Sequence, residues 1–277
     1  MKVVLFCGGL GMRIRDGADS VPKPMVTIGY RPILWHIMKY YAHHGHNDFI
    51  LCLGYRGDVI KNYFLNYSEC LSNDFVLSEG GKKLELMGTD IQDWKITFVD
   101  TGTNACVGER LRAVRKHLVG EETFFVNYTD GLTDLHLPDL VDSFQAARPV
   151  GMFLSVHPRY QTFHTVETDE TGLVRSIEAI QDSNMWINGG FFMFSQRIFE
   201  YLHEGEDLVQ EPFQRLIAAS ALRTLRYPGF WACMDTFKEK AMLDDLMAQG
   251  AAPWELWRDT DPEDGEYRLR PSRQAAR

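Results

Sequence analysis

The chain predicts an α/β fold: a mixed, mainly parallel sheet flanked by helices, with a β-rich portion in its second half. Three observations carry this. Strand-like and helix-like periodicities alternate through the first 130 or so residues. The first strand-like run, residues 2–7, empties into a loop with glycine at positions 8, 9 and 11. Beyond about residue 150 the pattern changes to short strands punctuated by a turn signal. A succession of β and α units implies parallel strands joined by right-handed crossovers, a Rossmann-like arrangement.

The elements follow in order. Residues 32–44 read as a helix, with Pro32 suited to the first turn and Gly45 to the stop. Ile33, Leu34, Ile37, Met38 and Tyr41 form its apolar stripe. A strand at 48–53 precedes a helix at 58–67, whose Val59, Ile60, Tyr63 and Phe64 share a face. Strands at 94–99 and 123–128 enclose a helix over 109–118. Strands are then expected at 151–157, 163–168, 173–180 and 187–194, with Asp169-Glu170-Thr171-Gly172 as a hairpin turn. Helices are expected at 196–203 and 211–221. Residues 1–257 read as one domain. The charged stretch 258–277, whose large apolar residues are Tyr267 and Leu269, reads as a flexible tail.

Composition narrows the function classes. The 277 residues are 45% hydrophobic and 24% charged, ordinary values for a soluble globular protein. No apolar run approaches the ~18 residues of a membrane span, and the chain opens on a strand rather than a signal peptide. A net charge of −9 argues against a broad nucleic-acid surface. The five cysteines are odd in number, widely spaced and without a C-x-x-C pair. Cys7 and Cys52 fall in expected strands, so they read as core residues in a reducing cytoplasm.

The glycine loop carries the first chemistry. Without a Cβ, Gly8, Gly9 and Gly11 let backbone N–H groups approach a polyphosphate. Arg13, and Lys23 between Pro22 and Pro24, supply charge for phosphates. The spacing is not G-x-G-x-x-G, and no Gly-Lys-Ser/Thr follows, so neither a dinucleotide fingerprint nor a P-loop is present. Asp130 stands after the strand at 123–128 and Asp235 before a helix. Carboxylates so placed suit Mg²⁺, which takes one or two of them plus substrate phosphates. Taken singly, Asp130 also reads as a turn residue and Asp235 as a helix N-cap.

The set Gly8-Gly9-Leu10-Gly11-Met12-Arg13, Pro22-Lys23-Pro24-Met25 and residues 32–38 resembles the sugar-1-phosphate nucleotidyltransferases, most of all the glucose-1-phosphate cytidylyltransferase branch. Gly54-Tyr55-Arg56-Gly57, Asp100-Thr101-Gly102, Asn188-Gly189-Gly190, Gln210-Glu211-Pro212 and Gly229-Phe230-Trp231 extend the similarity to about Trp257. The resemblance implies a nucleotidyltransferase fold with a nucleotide-binding half near 1–135 and an acceptor half near 136–257. It implies Mg²⁺-dependent transfer of a cytidylyl group from CTP to a sugar 1-phosphate, giving a CDP-sugar and pyrophosphate. Gly8, Gly9, Gly11 and Met12 would cradle the triphosphate, Arg13 the leaving phosphates and Lys23 the α-phosphate. Asp130 and Asp235 would hold Mg²⁺. Gly54, Thr101, Gly102 and Arg110 would lie near base and ribose. Tyr128, Asn188, Gly189, Glu211 and Trp231 would form the sugar-phosphate pocket, although Trp231 reads equally as a core aromatic. A cytoplasmic homo-oligomer that binds neither nucleic acid nor membrane is the expected context.

The acceptor half departs from that family. Ala179 stands where a Glu-Lys-Pro lysine is expected to grip the sugar phosphate. Losing such a cation removes roughly 2–4 kcal/mol of transition-state binding. Residues 157–164 are altered as well, and Arg159 or His164 is a candidate replacement. Two other readings stay open: UTP or dTTP as the donor, and a nucleotide-binding regulatory homologue that has lost turnover.

Overall fold

The computed structural model describes residues 1–9, 21–160 and 163–258. Its centre is an eight-stranded mixed sheet. Strand β1 (Val3–Phe6) lies between β2 (Asp48–Leu53) and β4 (Thr123–Tyr128), parallel to both, and β3 (Lys95–Asp100) continues the parallel run beyond β2. On the other side the sheet becomes mixed. β10 (Phe192–Ser195) runs antiparallel to β4 and to β6 (Gly151–Val156), and β11 (Leu222–Tyr227) lies parallel to β6 at the edge. The short β9 (Ile187–Asn188) also pairs with β6.

Two apolar layers cover the sheet. One gathers α1 (Ile33–His43), α2 (Gly57–Leu65), α4 (Leu137–Ala147) and α6 (Phe237–Ala248) over Val3, Leu5, Phe49, Leu51, Phe125 and Leu154. The other lays α3 (Val107–Ala113) and α5 (Glu211–Ala218) over Val4, Ile50, Val126, Phe192 and Phe194. Strand residues of β1 thus alternate between the layers, Val3 and Leu5 to one side and Val4 and Phe6 to the other. Burial on both faces explains why the run reads as continuously apolar. Cys7 and Cys52 are buried free thiols whose pKa values burial pushes up, Cys52 to about 12.

Several expected elements differ in extent. The strand expected over 187–194 breaks at Gly189–Phe191, where Gly190 and Phe191 take positive φ angles of 76° and 50°. Asn127 Oδ1 accepts the Phe191 N–H at 2.9 Å and fixes this kink. The helix expected over 109–118 is α3 followed by a 3₁₀ turn, Arg115–Leu118. Only a 3₁₀ turn, Gln196–Glu200, stands where 196–203 is expected to be helical. α5 stops at Ala218, ahead of Ser220 at φ 53°. The hairpin of β7 (His164–Thr168) and β8 (Val174–Ala179) turns as expected: Asp169 Oδ1 accepts the N–H groups of Thr171 and Leu173. The stretch 259–277, expected to be a flexible tail, lies outside the described residues.

Candidate active site

The parallel strands β1, β2, β3 and β4 end at one edge of the sheet, and the candidate residues collect there. Thr129 fixes the turn after β4 by donating its hydroxyl to Phe6 O at 2.8 Å. Two short strands then do what no local signal could. β5 (Gly131–Thr133) pairs antiparallel with β12 (Trp231–Cys233), setting Cys233 opposite Gly131, and Met234 N–H donates to Asp130 O at 2.8 Å. This ladder brings Asp235 beside Asp130 across more than a hundred residues of chain.

A capping box orients Asp235. Glu239 Oε2 accepts the N–H groups of Asp235 and Thr236 at 2.7 and 2.8 Å, while Thr236 Oγ1 accepts the Glu239 N–H at 3.3 Å. The N-cap of α6 is therefore Thr236, and the Asp235 carboxylate is left for another task. Neither Thr236 nor Glu239 was singled out from the sequence, though their T-x-x-E spacing is a legible capping signal.

Lys23 enters from a 3₁₀ turn, Lys23–Met25, pinned by the buried Pro24 and Met25. Its Nζ donates to Asp130 Oδ2 at 2.7 Å and to Asp235 Oδ1. The lysine side chain is 18% exposed. Burial alone would lower its pKa, but Asp130 and then Asp235 outweigh that and hold it above the ordinary value. Two carboxylates converging on one positive centre, open on the remaining side, match what Mg²⁺ asks of a protein when substrate phosphates complete the shell. Among the described residues there is no cluster of three His, Cys, Asp or Glu side chains that would cage a metal alone.

The glycine loop is described as far as Gly9; Gly11, Met12 and Arg13 lie outside the described residues. Open space surrounds the Cβ position of Gly9, whereas a Cβ on Gly8 would overlap the Arg110 guanidinium. Gly54 is also tight, its Cβ position 2.8 Å from the Arg110 guanidinium and 3.0 Å from Gly102 O and from Gly8 Cα. Arg110 donates to Gly8 O (3.0 Å), Leu53 O (3.2 Å), Thr101 Oγ1 (2.8 Å) and Thr103 O (3.3 Å). It ties the loops after β1, β2 and β3 together from below. The glycines are small because an arginine occupies the space behind them.

Tyr128 packs beside the kink that follows Asn188 and Gly189: the Cβ position of Gly190 is 3.2 Å from its ring. Asn188 Oδ1 accepts the Gly190 N–H at 2.9 Å, and its amide lies close enough to the Tyr128 hydroxyl to influence its titration. Burial, then Asp207 and Asp130, keeps that phenol protonated. Trp231 is buried and donates Nε1–H to Gly189 O at 2.8 Å, bracing the kink from behind. Glu211 opens α5. Ala179 ends β8 directly across from His164.

A mainly parallel sheet that gathers a lysine and two carboxylates at its strand ends, behind a glycine turn, is built to handle phosphates. The fold is shared with the Yersinia pseudotuberculosis protein HddC, crystallised with GMP-PN: TM-score 0.62, 19% identity, covering 89% of this chain and 99% of that one. Residues 2–260 match the model of the nucleotidyl transferase family, and the chain belongs to that family. It is 37% identical to the glucose-1-phosphate cytidylyltransferase of Salmonella typhi and 36% identical to the probable glucose-1-phosphate cytidylyltransferase of Bacillus subtilis. Each alignment covers 93% of this chain and 100% of the relative.

Proposed function

We propose that the protein is a Mg²⁺-dependent cytidylyltransferase that joins CTP and a sugar 1-phosphate to give a CDP-sugar and pyrophosphate. The observation that carries this reading is the full-length similarity to two cytidylyltransferases, over a chain that places Lys23 between Asp130 and Asp235.

A phosphate oxygen of the acceptor attacks the α-phosphorus of CTP. The new P–O bond forms as the bond to the β-phosphate oxygen breaks, and that oxygen leaves on pyrophosphate. Both reactants bring their own oxygens, so no protein nucleophile is required; positioning and charge stabilisation suffice. Gly8 and Gly9 would present the triphosphate at the sheet edge, with Gly11, Met12 and Arg13 completing that loop. Lys23 would stabilise charge on the α-phosphoryl oxygens. Asp130 and Asp235 would hold Mg²⁺, which supplies electrostatic stabilisation of the phosphates when bound. Gly54, Thr101 and Gly102 would flank base and ribose, with Arg110 keeping their loops in place. Tyr128, Asn188, Gly189 and Glu211 would meet the sugar; Asn188 both accepts and donates, which suits hydroxyl recognition.

In this scheme the CTP contacts fall mostly before residue 135 and the acceptor contacts mostly after it, with Asp235 and Tyr128 each serving the other side. The described residues include no helix long and apolar enough to cross a membrane. A cytoplasmic homo-oligomer acting on small molecules is the context that goes with this proposal. Incubation with Mg²⁺, a panel of sugar 1-phosphates and CTP, UTP, dTTP or GTP should release pyrophosphate with CTP preferred. Tight CTP binding with no pyrophosphate from any acceptor would overturn the reading in favour of a nucleotide-binding regulator.

A further inference from the structure

The sheet register sets a row of polar residues across the strand ends of the acceptor half. Arg226 of β11 is level with Ser155 of β6, and Ser155 is level with Asn188 of β9. Asn188 in turn meets Tyr128 at the end of β4. Residues level in neighbouring strands share a face, so all four stand on one side of the sheet. It is the side on which Phe153 packs against Phe192 and Phe213, the latter from α5.

Arg226 and Ser155 have no task in the nucleotide half. The Arg226 guanidinium lies 5.4 Å from the centre of the Trp186 ring, itself 3.9 Å from the ring of His157. Among the described residues Arg226 forms no ion pair. Ser155 is 5% exposed, and its buried hydroxyl has no hydrogen-bond partner among the described residues. A buried hydroxyl without a partner is unfavourable, but this one is shut from solvent, so the exposed Arg226 is the group of the pair open to a ligand.

Distance decides which part of a ligand Arg226 can meet. Strands are about 4.8 Å apart, so three strand steps put the Arg226 backbone about 14 Å from Tyr128. An extended arginine spans less than half of that. Directed along the row, it would leave room for about one sugar ring between its guanidinium and the Tyr128 end.

We propose that Arg226 binds the end of the acceptor sugar remote from its anomeric phosphate, and that it selects a carboxylate there, as on a hexuronic acid 1-phosphate. A guanidinium presents paired N–H donors that match a carboxylate edge, and stacking on Trp186 limits the conformations it must give up. The proposal rests on the cytidylyltransferase reading and adds the acceptor class.

The test compares glucose 1-phosphate with glucuronic acid 1-phosphate as acceptors for wild type and Arg226→Gln, with CTP and Mg²⁺. The wild type should favour the acid by about tenfold or more in kcat/KM, and Arg226→Gln should erase the preference, losing about tenfold more on the acid than on glucose 1-phosphate. Equal use of the two acceptors by wild type would overturn the proposal. So would an equal loss on both in the variant, which would assign Arg226 to the shared phosphate. Calorimetric binding of glucuronic acid 1-phosphate without nucleotide separates this from failure of the parent reading. Binding about tenfold weaker in Arg226→Gln upholds the acceptor class even if CTP is not the donor, and unchanged binding reduces Arg226 to an edge-strand charge.

Discussion

Lys23 holds together two carboxylates, Asp130 and Asp235, that would otherwise repel. Its Nζ takes the place between Asp130 and Asp235 that a divalent cation would also seek. The ammonium and the metal therefore compete for the same negative charge, and removing the ammonium should favour the metal. Lys23→Ala should bind Mn²⁺ several-fold more tightly than wild type, as read by electron paramagnetic resonance, while turnover falls about a hundredfold or more. Metal affinity that weakens in this variant would show that Lys23 organises the carboxylates instead of competing for them. A similar economy of space holds at Arg110, whose four bonds to loop oxygens leave room only for glycine at position 8. An arginine at that position in the sequence reads as a ligand for the nucleotide; in the fold it is buried and bonded to the oxygens of the loops around it.

At the scale of elements, the capping box at the start of α6 links stability to the site. Glu239 holds the Asp235 N–H as well as that of Thr236, so the helix start and the carboxylate are fixed by one side chain. Glu239→Ala should lower stability by about 1 kcal/mol, a Tm shift of about 2–4 °C. Its effect on catalysis should appear chiefly as a raised Mg²⁺ concentration for half-maximal rate, with kcat largely recovered at saturating metal. A variant that loses kcat and Tm but keeps its Mg²⁺ dependence would confine Glu239 to a structural role. The elements themselves were unevenly legible. The runs at 48–53 and 123–128 coincide with β2 and β4, because strands buried on both faces leave an unbroken apolar signature. The kink at Gly189–Phe191 was hidden, since it depends on an Asn127 side chain from a neighbouring strand. α4 and β11 passed unread; β11 mixes Arg223, Thr224 and Arg226 with Leu222, Leu225 and Tyr227 without a clean period of two, as an edge strand can. Lys23, Asp130 and Asp235 were each visible as residues, but their meeting depends on the three-residue ladder of β5 and β12, which is too short to carry a pattern.

For the whole molecule, the histidines under the sheet set an acid limit on folding. His36 is fully buried in α1, where Nε2 meets Ile28 O at 3.1 Å and Nδ1 accepts the indole N–H of Trp254 at 3.3 Å. Those partners fit one neutral tautomer, with the proton on Nε2. A second proton on Nδ1 would face the Trp254 N–H. Burial first, then the positive charges of Arg258 and Arg31, pulls the His36 pKa down to about 4. At the far end of the same helix, burial and the neighbouring His43 and His136 take His44 to about 3, and burial with the N-terminal amine takes His46 to about 4. The sign follows from linkage. In the unfolded chain these imidazoles take up protons near pH 6.5, whereas the folded chain resists until near pH 4, so the unfolded state binds more protons in between. Stability is complete above pH 6.5 and falls as the pH drops toward 4, with His36 alone contributing about 3 kcal/mol of that loss. Urea midpoints should hold steady from pH 8 to 7 and then decline steeply between pH 6.5 and 4.5. His36→Gln cannot take up the proton and should flatten that decline by the part due to His36, leaving a shallower limb from His44 and His46. A midpoint that does not change between pH 7 and 5 in the wild type would refute the assignment of neutral, buried imidazoles beneath the sheet.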